Sequence, residues 1–158
     1  MSIKIEFRFA VLTALVMLLW LVIEYAVGLQ DTYVFFHPYV SIVMATLIPL
    51  GTYRLALIDK LEQKFGKLTF TQAFMSCLLI TVFTCILTIP VQLAFLKFIN
   101  PDFIETMILY TSKNSRHGAE QAAMFFNFKS YIGESVLFTL FIGVIVSIIL
   151  AFRMRTIK

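Results

Sequence analysis

A chain of 158 residues that is 60% hydrophobic and only 14% charged, with a formal net charge of +4, departs from the composition of a soluble domain, which is nearer half apolar and a quarter charged. That balance excludes an ordinary water-soluble globule. The apolar residues gather in four blocks, about Phe9–Leu29, Pro38–Ile58, Ala73–Phe98 and Tyr131–Phe152, each about the 20 residues a helix needs to cross a hydrocarbon core of about 30 Å. In lipid only helices and closed barrels satisfy their backbone hydrogen bonds, and these blocks lack the alternation of barrel strands. The expected fold is therefore an all-α membrane protein, a single domain of four transmembrane helices.

The opening "SIKIEFRF" leads into a first span that reads as a retained helix. It is too long for a signal-peptide core and has no small-residue cleavage site before the next span. Glu24 stands near its outer end, on one helical face with Thr13, Met17, Trp20 and Gly28. That face is less aliphatic than the rest and should turn into the bundle. Glu24 is about five residues, or about 7 Å, inside the end of the span. Bare in hydrocarbon it would cost about 3 kcal/mol, so it is expected to be hydrated, protonated or paired.

The loop "QDTYVFFHP" supplies aromatics suited to a membrane interface and places His37 at the start of the second span. Pro49 and Gly51 should kink that span, and Arg54 can snorkel from its inner end. The next loop, "DKLEQKFGKLTFTQAF", ends in a helix start, with Thr69 and Gln72 at capping-box spacing. The third span carries Pro90 and Gln92 in its outer half and Lys97 at its end, and is long enough to be tilted or bent. Its two cysteines, Cys77 and Cys85, are about 12 Å apart along the axis, too far for a disulfide, and read as packing residues.

Residues 100–130 are expected to form a partly helical outer cap. Phe103, Ile104, Met107, Ile108 and Tyr110 fall on one half of a helix, with Asp102, Glu105, Thr106 and Lys113 elsewhere, the pattern of an amphipathic interfacial segment. A turn at Asn114–Gly118 and a helix running into the fourth span should follow. Lys129 and Glu134 lie near the outer end of that span. Along it Ser135, Thr139, Gly143, Ser147 and Ala151 recur every four residues, and the third span has a similar run in Ala73, Cys77, Thr81 and Cys85. Such small-residue stripes let helix backbones approach closely.

The charges are distributed unevenly. The side shared by the termini and the second loop holds nine bases against three acids, a net +6, whereas four bases and four acids cancel on the other side. The positive-inside rule then puts both termini in the cytoplasm and the cap in the periplasm. Bases so placed orient the chain and touch anionic lipid; no nucleic-acid partner is expected.

Every span thus offers a polar group to one outer layer: Glu24, His37, Gln92, Glu134, Lys97 and Lys129. Two close carboxylates in a low dielectric can share a proton or hold a cation, so this layer is the candidate ligand-binding or proton-handling site. The plainer readings are interfacial side chains reaching water, with Lys97 or Lys129 pairing a glutamate, or a buried structural network. There is no H-E-x-x-H, C-x-x-C pair, G-x-S-x-G or Walker loop, and no catalytic residue, metal or cofactor is expected.

The stretches "WLVIEYAVGLQD", "GKLTFTQAF", "INPDF" and "FFNFKSYI", followed by an apolar helix and a basic tail, together resemble an integral membrane family of Bacteroidota, domain of unknown function 4199, over nearly the whole chain. The resemblance implies a bacterial inner-membrane protein and carries over no catalytic residues. It also links the chain to polyprenyl-linked glycosyl transfer. The expected function is a non-enzymatic accessory or scaffold subunit of such an envelope complex, meeting a membrane-protein partner or a second copy through its seams and cap. The alternatives are a small solute or proton-coupled transporter using Glu24 and Glu134, and a membrane enzyme acting on a lipid headgroup.

Overall fold

The computed structural model describes residues 3–114 and 119–156. In chain order the helices are α1 (Lys4–Ala26), α2 (His37–Gln63), α3 (Phe70–Ala94), α4 (Phe103–Asn114), α5 (Ala119–Phe125) and α6 (Phe128–Met154), and a π-helical turn, Phe95–Ile99, extends α3. No strand occurs among the described residues. Four helices are long and apolar enough to cross a membrane: α1, α2, α3 with its π turn, and α6. No more than 33% of any of their most apolar stretches is buried within the bundle, and lipid is the cover that so large an apolar surface calls for.

The first and last described residues come to the same end of the bundle, called here the terminal end. There Thr156 donates its N–H to the Leu68 carbonyl at 2.8 Å and its hydroxyl to the Gly66 carbonyl at 2.9 Å, while accepting the Leu68 N–H at 2.8 Å. The turn beneath this clasp closes α2 with bonds from the Gly66 N–H to Leu61 and from the Phe65 N–H to Glu62, leaving Phe65 in the left-handed region at φ 52°. Thr69 then starts α3 with the expected capping box, its hydroxyl accepting the Gln72 N–H at 3.3 Å and the Gln72 side chain accepting the Thr69 N–H. Ile5, Phe9, Tyr53, Leu57, Ile80 and Leu150 bury together as the core of this half.

The two small-residue stripes pack on each other. Ala73, Cys77 and Thr81 on α3 and Gly143, Ser147 and Ala151 on α6 are all buried, and a Cβ at Gly143 would lie 2.3 Å from the Thr81 Cγ2. Glycine is required there because the backbone of α6 rides directly over Thr81. Pro49 and Pro90 sit inside continuous α2 and α3. The irregularity in the third span comes after Pro90, where the Asn100 N–H reaches back five residues to the Phe95 carbonyl at 2.9 Å.

At the opposite, far end, α4 lays Phe103, Ile104 and Met107 against Phe95, Leu96, Leu18, Leu21 and Tyr131, with Asp102, Glu105 and Lys113 exposed. The cap does not run unbroken into the fourth span. Asn127 is extended (φ −127°, ψ 161°) and accepts the Ser130 N–H at 2.9 Å on its side chain, so α6 begins with its own N-cap and α5 stands apart. The turn expected at Asn114–Gly118 falls on residues 115–118, outside the described residues.

Candidate functional site

Glu24 is fully buried, and its surroundings begin with how α1 ends. The Leu29 N–H bonds the Glu24 carbonyl at 2.9 Å, the Gly28 N–H bonds Tyr25 at 3.1 Å, and Gly28 takes φ 75°. This αL ending, which favours glycine, folds the chain back over the helix and brings Gln30 onto the Glu24 carboxylate. Its Oε1 accepts the indole N–H of Trp20 at 2.8 Å and the hydroxyl of Ser41. Its Oε2 accepts the Gln30 amide at 3.2 Å, with His37 Nε2 at 3.5 Å. Gln30 in turn accepts the Asn100 amide at 2.9 Å. One carboxylate thus ties α1, the following loop, α2 and the end of the π turn.

Trp20 precedes Glu24 by one turn of α1, and Ser41 follows His37 by one turn of α2, so both pairings follow helical spacing. Gln30 and Asn100 lie in irregular segments, where no periodicity marks them.

Beside this hub lies a cavity of about 500 Å³ walled by α1, α2, α3, α4 and α6, within the range of small-molecule sites. Four of the six sequence-derived candidates line it: Glu24, His37, Gln92 and Glu134. Lys97 and Lys129 are exposed and stand outside its lining, and neither forms an ion pair among the described residues. Glu24 and Glu134 face the same cavity without a hydrogen bond between them. Glu134 is exposed and has no hydrogen-bond or ion-pair partner among the described residues. The Gln92 Oε1 is buried and receives no hydrogen bond. The remaining walls are mostly apolar, Met17, Leu21, Ile48, Val91 and Met107 among them, and the exposed residues of the lining, Pro38 and Ile42 on α2 and Glu134 and Phe138 on α6, mark an opening between those helices.

A second buried polar cluster was not legible in the sequence. Glu6 and Ser76 are fully buried and Lys60 is 5% exposed. The Lys60 ammonium pairs with Glu6 and donates to the Ser76 hydroxyl at 2.9 Å, and Ser76 donates to Glu6 at 2.7 Å. Both belong to the charges that the sequence assigns to the terminal end. Because acid and base withdraw together, eight bases and two acids remain there and the excess is still +6. An exposed pair, Arg8 with Asp59, links α1 and α2 nearby.

Chemically, the far-end site can hold a molecule in an apolar chamber and offer it a few fixed polar atoms. The family described as Protein of unknown function (DUF4199) matches residues 8–156. No curated protein and no solved structure matches the chain.

Proposed function

The chain belongs to the DUF4199 family, and on the geometry of its far-end cavity we propose that it is a non-enzymatic multi-pass membrane protein that binds a small amphiphilic molecule between α1, α2, α3 and α6. The observation that carries this reading is the chamber itself. It measures about 500 Å³, is mostly apolar, opens between two membrane-length helices, and contains a buried amide oxygen and a free carboxylate. Glu24, whose oxygens are engaged by Trp20, Ser41 and Gln30, holds the wall of the chamber in place. The small-residue seams are engaged with each other, so a partner helix would dock on a different face.

The net +6 at the terminal end supports cytoplasmic termini and a cavity in the outer half of the bilayer, and the family resemblance supports a bacterial inner membrane. A cysteine replacing Asn114 should react with an impermeant reagent when the outer membrane is opened, and one replacing Gln63 should not.

Native mass spectrometry of the protein released from its own membranes tests the binding reading. A small molecule should remain bound at one per chain and be lost from Ala45→Phe, which fills the cavity. A protein that carries no small molecule and instead retains a stoichiometric protein partner would replace this reading with that of an accessory subunit.

A further inference from the structure

The hydroxyls that line the cavity present it mainly with acceptors. Thr88, Ser135 and Thr139 each donate their hydroxyl to a carbonyl one turn back in their own helix, at 2.9, 2.8 and 2.8 Å. Each therefore turns only oxygen lone pairs toward the chamber. Ser41 gives its proton to Glu24. The Gln92 side chain, 8% exposed overall, has an Oε1 with no donor, and a buried acceptor left in that state costs about 1–3 kcal/mol. The Glu134 carboxylate has no hydrogen-bond or ion-pair partner among the described residues, and no lysine or arginine lines the cavity, whose imidazole, His37, stands 3.5 Å from the Glu24 carboxylate.

We infer that the ligand of this cavity is an amphiphile with a protonated amine headgroup. The inference rests on the binding reading above and names its ligand chemistry. An ammonium group has three N–H donors and no acceptor, the complement of the Gln92 Oε1, the Glu134 carboxylate and the Ser135 and Thr139 hydroxyl oxygens. Its charge meets the free Glu134 carboxylate, and its chain takes the apolar walls. A carboxylate or phosphate headgroup would meet the like charge of Glu134, which is repulsive in a low dielectric. The engaged state of Glu24 assigns it a positioning role: it sets the wall, and Glu134 and Gln92 supply the contacts.

The chain carries a reporter for this site. Trp20, its single tryptophan, lines the cavity, so a bound brominated chain will quench its fluorescence. The full-length protein in zwitterionic phosphatidylcholine nanodiscs is titrated at neutral pH with ω-bromoalkyl amine, alcohol and carboxylate of one chain length. Saturable quenching by the amine is expected, at an affinity roughly tenfold or more above the alcohol, with the carboxylate weakest; tenfold corresponds to about 1.4 kcal/mol. Glu134→Gln should remove most of the preference for amine over alcohol, and Gln92→Leu should weaken the amine severalfold. Equal binding of amine and alcohol, or tighter binding of the carboxylate, overturns the inference about headgroup and leaves the cavity as a binding site. Quenching that never saturates with any probe, or that is the same in Ala45→Phe, overturns the binding reading as well.

Discussion

Removing the carboxylate at Glu24 would strand the Trp20 indole, the Gln30 amide and the Ser41 hydroxyl together. Glu24→Ala should therefore destabilise the fold by about 3 kcal/mol, read from reversible unfolding in mixed detergent micelles. Glu134 is exposed and without a partner among the described residues, so Glu134→Gln should stay within about 0.5 kcal/mol of the parent. Two glutamates that look alike in the sequence thus separate into one that holds the site together and one that is free to meet a ligand. The sequence marked both, along with His37 and Gln92, through their depth in the spans. It could not mark which donors each would find, because that depends on how the loop after α1 returns.

At the level of the helices, the same residue type has opposite consequences depending on what faces it. A Cβ at Gly143 meets Thr81 at 2.3 Å, whereas one at Gly51 meets nothing within 4 Å. Gly143→Ala is expected to lose about 1–3 kcal/mol through overpacking of the α3–α6 seam. Gly51→Ala should be neutral or gain up to about 1 kcal/mol from helix propensity; paired unfolding curves check both. At the end of α2, Phe65 holds a left-handed conformation (φ 52°) while 94% exposed. Phe65→Gly should gain about 1 kcal/mol, seen as a higher unfolding midpoint. The four-residue spacing of the stripes was visible in the sequence. The mutual contact of the stripes, and the N-cap at Asn127 that separates α5 from α6, were not.

For the molecule as a whole, the terminal end is joined by a buried Glu6–Lys60–Ser76 cluster spanning α1, α2 and α3. Lys60→Met leaves a buried carboxylate without its cation and should cost about 3–5 kcal/mol. Glu6→Gln combined with Lys60→Met removes both charges and should recover most of that loss, a non-additivity that a double-mutant cycle measures directly. The cluster and the Glu24 hub lie at opposite ends of the bundle. Each fastens α1 to α2, and the cavity lies beside the hub at the far end.

What the sequence by itself determined is what lipid imposes residue by residue: four spans of sufficient length, the capping box that starts α3 at Thr69, the amphipathic face of α4 and the unequal charge of the two ends. Those follow from local composition, because a span must be apolar along its own length and satisfy its own backbone. Only the tertiary structure decided which polar groups meet. Lys60 reaches Glu6 across 54 positions and Asn100 reaches Gln30 across 70. These meetings, and the engaged hydroxyls around the cavity, depend on how each helix is rotated and how each loop returns, and no spacing along the chain encodes that.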